Sequence, residues 1–341
     1  MTSRWSRITS FLNQLNLNIP QPFELNAFIR SVEEFRGRKI EIVPVDFGID
    51  RIARGIVAWW WSFPDIDCVI IDRSAPKPLQ EHGVLHEIAH MLLEHVGQRL
   101  AHTIAAQFRQ LDSHAVLRAL ARDINRYDDP DEADAETLAT LIPIAATLRL
   151  DTRPTSAASG HVRGRSKSGL SGVPSTPVKH HLYRNIRPLW ERLIDTPGVS
   201  CLEPLPTQPH PAQLDLLLRR MVVESLDGLH RLRHLHDPSV AAAARTRATA
   251  AGLHPERATS VAEAAAITTA ITRARHPPRG HHRPPAQPGL HHTQMTRTWG
   301  PTPGSGFAAH SIWLATIGQV LPASPAPTPS SRSSLTAPQL P

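Results

Sequence analysis

Leu79-Gln80-Glu81-His82-Gly83-Val84-Leu85-His86-Glu87-Ile88-Ala89-His90-Met91-Leu92-Leu93-Glu94-His95-Val96 decides the reading of this chain. No proline interrupts the run, Pro76 and Pro78 suit a first helical turn, and Val84, Leu85, Ile88, Met91 and Leu92 supply an apolar stripe that would bury one face. On such a helix His86 and His90 stand one turn apart on the same side, so both imidazoles can direct a nitrogen at one metal ion. Glu87 lies about 100° round the axis, badly placed to ligate but well placed to take a proton from water. H-E-x-x-H is therefore the minimal apparatus for holding zinc and activating water on it.

Two histidines leave the coordination incomplete. A third ligand from the metzincin continuation would need Gly at position 93 and His at position 96, which are Leu93 and Val96. A second helix carrying a glutamate is the other solution, and one is readable from Asp128 to Ile142. Asp128 or Asp129 can cap it, Pro130 suits its first position, and its acidic first turn complements the helix dipole. Glu132 and Glu136 fall on one face, with Ala135, Leu138, Ala139 and Ile142 on the packing face. Glu132 would then reach the metal while Glu136 orients a histidine. Standing alone, the segment would read as a capped, solvated acidic helix start; downstream of His86-Glu87-x-x-His90 it reads as a ligand helix.

With both motifs in view, the chain resembles the ImmA/IrrE-type zinc metallopeptidases. These carry H-E-x-x-H and, some forty residues on, E-x-x-A-[NDE]-x-[FL]-A, here Glu132-Ala133-Asp134-Ala135-Glu136-Thr137-Leu138-Ala139. The resemblance covers roughly residues 20–148. It implies His86, His90 and Glu132 as ligands of Zn2+, Glu87 as general base, and a repressor or antitoxin-like regulatory protein as substrate. Leu138 stands where the family usually has Phe, a change in packing more than in chemistry.

Upstream, 39–45, 55–61 and 66–72 are short β-branched and aromatic runs bounded by Gly, Pro and Asp, and they read as strands of a small sheet. By resemblance, 66–72 would be an edge on which an extended substrate adds as a further strand, unless another segment covers it. Alternation places Trp60 opposite Trp59 and Trp61, so at least one of the three belongs to the core. His82 shares the metal-facing side of the helix and His95 follows it. Either could donate to a transition-state oxyanion or be a solvated helix histidine, and Tyr127 is a further candidate by its nearness to Glu132.

Length and composition allow more than one unit. The chain has 341 residues, 40% of them hydrophobic, enough for a sizeable core. Cys68 and Cys201 are its two cysteines, which indicates neither a disulfide framework nor a cysteine zinc site. No signal-peptide core or membrane-length apolar run is present, so the cytoplasm is expected. Residues 149–179 turn to Thr, Ser, Gly, Pro and Arg and read as a flexible basic linker. Helical periodicity resumes at 182–194, 214–232, 240–251 and 261–274, giving an α-helical module over 180–276. Leu182-Tyr183-Arg184-x-x-Arg187-Pro188-Leu189-Trp190 with Arg219-Arg220-x-x-x-Glu224-x-x-Asp227-Gly228 is similar to a cytoplasmic domain of actinobacterial putative transporters of unknown function, which implies an interaction or signalling role. Arg219, Arg220, Glu224 and Asp227 read as internal salt bridges, with a binding face as the alternative. Residues 277–341, rich in Pro, His, Arg and Ser, read as a disordered tail, its His281-His282 and His291-His292 pairs as surface.

The formal charge of +7 concentrates in the linker and tail, so no folded basic face for nucleic acid is visible and only weak contact through flexible arms is expected. These readings converge on an α+β, zincin-like domain over 1–148, with a small sheet packed on the H-E-x-x-H helix and a glutamate-bearing second helix, followed by a separate helical module. The function expected is that of an intracellular endopeptidase of regulatory type, zinc-activated water attacking a peptide bond with Glu87 as base. The alternative is a catalytically silent regulatory or toxin-antitoxin-like binding protein on the same fold, for which an intact Glu87 would be unnecessary.

Overall fold

Ile66-Asp67-Cys68-Val69-Ile70-Ile71-Asp72 is apolar on both of its faces, and the sheet is built around it. In the computed structural model, which describes residues 4–47, 56–63, 66–95, 98–99, 130–151, 176–197, 199, 201–276, 299–302 and 304–321, strands β1 (Lys39–Val45), β2 (Ala58–Ser62), β3 (Ile66–Asp72) and β4 (Gln98–Arg99) run in the order β1-β3-β2-β4. β3 pairs parallel with β1 and antiparallel with β2. The expectation that 66–72 forms an edge is therefore corrected: both its sides are hydrogen-bonded, and no substrate can add there. A continuous apolar run is what a strand covered on both faces requires, whereas an edge strand would alternate. Trp60 is buried on one face of the sheet and Trp61 on the other, as the alternation in β2 demands.

Two helices precede the sheet, α1 (Arg4–Gln14) and α2 (Leu25–Arg36), and two more cover it, α3 (Lys77–Leu92) and α4 (Pro130–Asp151). Phe28, Leu85, Ile88, Leu138 and Ile142 are sealed in the core between them. Each such side chain contributes about 1.5–3 kcal/mol through burial. α3 is drawn down onto the sheet at Gly83, where a Cβ would stand 3.0 Å from the Ala58 Cβ. That close approach brings the next turn of α3, bearing Glu87, against the backbone of β2.

Helices α5 (Thr176–Ile194), α6 (Leu214–Leu232), α7 (Pro238–Ala250) and α8 (Pro255–Arg275) form the expected helical half. A further helix, α9 (Phe307–Val320), packs against α5 and α8. It corrects the expectation that everything beyond 276 is disordered. Phe-Ala-Ala-His-Ser-Ile-Trp-Leu-Ala-Thr-Ile-Gly-Gln-Val is apolar enough to dock, and the proline-rich composition of the surrounding sequence concealed it. At Gly318 a Cβ would fall 1.8 Å from the carbonyl oxygen of Asn185, so glycine is what lets α9 lie directly on α5. Residues 152–175, most of the expected linker, lie outside the described residues, as do Tyr127 and the paired histidines of the expected tail.

The two halves are not separate. Val57, Ala75 and Leu79 of the sheet half belong to the same apolar cluster as Leu214, Leu218 and Met221 of α6, and α6 packs on both α3 and α4. At the end of β3 the buried Asp72 receives His230 Nε2 of α6 at 2.9 Å and the backbone N–H of Ser74 at 2.9 Å. From the other side, Arg4 of α1 reaches Asp134 of α4 at 3.3 Å and Glu203 of the helical half at 3.2 Å. Local periodicity marks each helix but cannot show which apolar faces meet, and that is why the sequence suggested two independent units.

Among the described residues the protein is thus α+β and mostly helical, with nine α-helices and a small sheet.

Candidate metal centre

α3 and α4 run against each other with their polar residues turned inward at one end. Proline inside its first turn starts α3, and Pro130 opens α4, followed by Asp131 and Glu132 where negative charge favours the helix N-terminus. The registers set by Leu85, Ile88, Leu138 and Ile142 then place His86 and His90 opposite Glu132. His86 Nε2 lies 3.0 Å from His90 Nε2 and 3.2 Å from Glu132 Oε2, and His90 Nε2 lies 3.6 Å from Glu132 Oε1. Among the described residues this is the group of three whose ligating atoms converge, all within 4.8 Å of one another.

Those separations fit a small tetrahedral ion. Ligands about 2.0–2.1 Å from a zinc ion stand roughly 3.3 Å apart, and the three distances straddle that value. Two nitrogens and one carboxylate oxygen are also a donor set that suits zinc.

The outer nitrogens of both histidines are held. His86 Nδ1 is 3.2 Å from Glu136 Oε2, and the other oxygen of that carboxylate is 2.8 Å from His82 Nε2. His90 Nδ1 is 2.9 Å from His95 Nδ1, whose Nε2 faces Asp131 Oδ1 at 3.6 Å. Fixing the outer nitrogen fixes the ring, so the two Nε2 atoms already converge where an arriving ion would displace any proton they carry. Glu136 was expected to orient a histidine and does so. His82 and His95 are neither solvated nor aimed at the open side: one braces Glu136 and the other braces His90. Spacing along α3 did not reveal His95, because the chain turns at Glu94, where φ is 57°, and folds the residue back onto the helix end.

Charge in the cluster follows from these contacts. Burial works against a charged His86, but hydrogen bonds to Glu132 and Glu136 hold it well above the usual histidine range. Burial likewise opposes ionisation of Glu132 and Glu136, and the facing histidines override it, so both stay far below the usual carboxylate range. Glu87 goes the other way. Burial raises it, His86 and His90 offset only part of that, and its Oε2 accepts the backbone N–H of Trp60 at 3.1 Å. A carboxyl group raised above its ordinary range by burial and fixed beside a convergent N, N, O set is placed to exchange a proton with water held there.

In the helical half, the residues read as internal salt bridges divide. Arg220 pairs with Glu224 at 3.1 Å and Arg231 with Asp227 at 2.8 Å, and Glu224 also accepts Trp190 Nε1 at 2.6 Å. Arg219 joins none of them.

Residues 177–323 match a family of unknown function, DUF6545. The match spans α5 to α9 except for Thr176, the first residue of α5. No curated protein matches the chain, and no solved structure does. Among the described residues no helix is long and apolar enough to cross a membrane.

Proposed function

We propose that this protein is a zinc-dependent endopeptidase of regulatory type, acting inside the cell on a repressor or antitoxin-like protein. The observation that carries the reading is the meeting of His86, His90 and Glu132 from two helices, with Glu87 anchored beside them by Trp60. The resemblance of both motifs to the ImmA/IrrE-type peptidases supports it and supplies the class of substrate. Bound there, zinc would polarise a peptide carbonyl and make water a nucleophile at neutral pH.

The chain's own residues do the rest. Glu87 takes the proton released as water attacks and returns it to the departing amine, a two-way role suited to a carboxyl group raised by burial. The Trp60 N–H keeps that carboxylate from swinging in to become a ligand. Glu136 and His95 hold the two imidazoles at their angles, so little is lost in ordering the site when metal enters.

Metal analysis of the purified chain, joined to a comparison of protein fragments in cells expressing wild type and Glu87→Gln, tests this. About one zinc per chain is expected in both, removed by His90→Ala or Glu132→Ala. Cleavage is expected to fall by about 10²–10⁴-fold in Glu87→Gln. Identical fragment patterns with a full site would instead favour the silent binding protein.

A further inference from the structure

We propose that Arg36, the last residue of α2, is a positioning residue of the zinc site: it holds the chain reversal that lays His95 on His90, a role that rests on the metal reading. α3 ends in that reversal. Were the helix to continue, the His95 N–H would bond the carbonyl of Met91; instead it donates to the carbonyl of His90 at 3.0 Å, with Glu94 in the left-handed region at φ 57°. The Met91 carbonyl thereby loses its helical donor, and Arg36 Nη1 supplies one at 2.6 Å. Nη2 of the same guanidinium donates to Asp67 Oδ2 at 3.0 Å, and that carboxylate is fully buried in β3. One planar fork therefore ties the last turn of α3 to the sheet. The cation also lies 6.0 Å from the centre of the Trp60 ring, and Trp60 holds Glu87 through its backbone N–H at 3.1 Å.

The ends of two other helices show why α3 needs this tie. α2 closes with the Arg38 N–H on the Glu33 carbonyl at 3.2 Å and α7 with the Leu253 N–H on the Ala248 carbonyl at 3.1 Å, the same reversal in each. Both put glycine at the left-handed position, Gly37 at φ 66° and Gly252 at φ 79°. A side chain there crowds the following carbonyl oxygen, a cost that glycine escapes and Glu94 bears. That cost favours fraying of the end of α3, which would carry His95 away from His90. Arg36 opposes it from outside the helix, as a donor to an orphan carbonyl and as a cation at the negative end of the helix dipole. The two ligating histidines are thus braced differently: His86 by Glu136 within a helix, His90 by a residue beyond a helix end. The second brace is only as firm as the reversal.

Zinc affinity of the full-length chain, measured against a chromophoric chelator, tests this. Arg36→Gln is expected to weaken zinc by about tenfold. Adding Glu94→Gly is expected to restore most of that loss, because glycine takes the left-handed conformation without penalty. With His95→Ala already in place, Arg36→Gln should weaken zinc no further, since both changes remove the same brace. Arg36→Lys guards against a variant that does not fold: it keeps a cation for Asp67 but not the fork that reaches Asp67 and Met91 together, so a similar loss and the same repair are expected. An arginine that only stabilises the fold would lower the melting temperature and leave the zinc affinity of the folded chain alone. That result, a loss that Glu94→Gly does not repair, or losses that add to that of His95→Ala would overturn the proposal. If wild type takes up no zinc, the metal reading has failed, and amide exchange in the metal-free chain decides the reversal by itself. Exchange at Glu94 and His95 that quickens in Arg36→Gln and slows again with Glu94→Gly sustains the role of Arg36; exchange that Arg36→Gln leaves unchanged sinks it.

Discussion

The helix pairs α3–α4 and α5–α6 each hold glutamate between them, and they satisfy it in opposite ways. Glu224 meets Arg220, the Trp190 indole N–H and the backbone of Leu202, all donors with nothing left to give to an ion. Glu132 and Glu136 meet imidazoles, whose Nε2 atoms can exchange a proton for a cation while the other nitrogen is held. A donor-saturated pair is a structural clamp, whereas an imidazole cluster whose Nε2 atoms face one another is a cavity for a cation. Partner chemistry separates the two.

The largest effect is expected where the halves join. Asp72→Asn leaves His230 without its carboxylate in a buried setting and should cost about 3–5 kcal/mol at neutral pH. Asp72 is pushed up by burial but brought below its ordinary value of 3.8 by His230 and Ser74. Its stabilisation is therefore present above that value and is lost as pH falls through the lower, folded one. Urea midpoints of wild type and variant should differ at pH 7 and converge in strong acid. Equal midpoints at neutral pH would mean that the Asp72–His230 pair does not help to hold the halves together.

Next comes the helix missed as disorder. Gly318→Ala forces a methyl into the Asn185 carbonyl, and about 1–3 kcal/mol of destabilisation is expected in thermal melts, with α9 exchanging its amides faster. An unchanged melt would show α9 to be loosely applied.

Two smaller effects sharpen the contrast between clamp and cavity. Glu136→Gln should weaken zinc by about 10–100-fold in competition with a chromophoric chelator, without altering the helical half. His95→Ala should weaken it less, by about tenfold, because His95 bears on His90 through a single contact. If His95→Ala equalled His90→Ala, then His95 would be a ligand and not a brace.

Much of the site was legible because it depends on spacing within single helices. His86 and His90 one turn apart, and Glu132 and Glu136 one turn apart, can serve one centre only if their helices face each other, and Leu85, Ile88, Leu138 and Ile142 state which faces are buried. The three strands were legible for the same reason, through β-branched runs between turn residues. Strand order was not. Whether β3 is edge or centre depends on partners supplied by β1 and β2, and its doubly apolar pattern was the signal that could have given it.

What tertiary structure alone decided are the contacts between residues far apart in the chain: Asp72 with His230, Trp60 N–H with Glu87, and α9 on α5. Sequence determines these only through the whole packing, because a hydrogen bond or a shared apolar face between distant segments leaves no local period. Helix and strand, by contrast, are written in periods of 3.6 and 2, and a ligand set confined to two helices inherits that legibility.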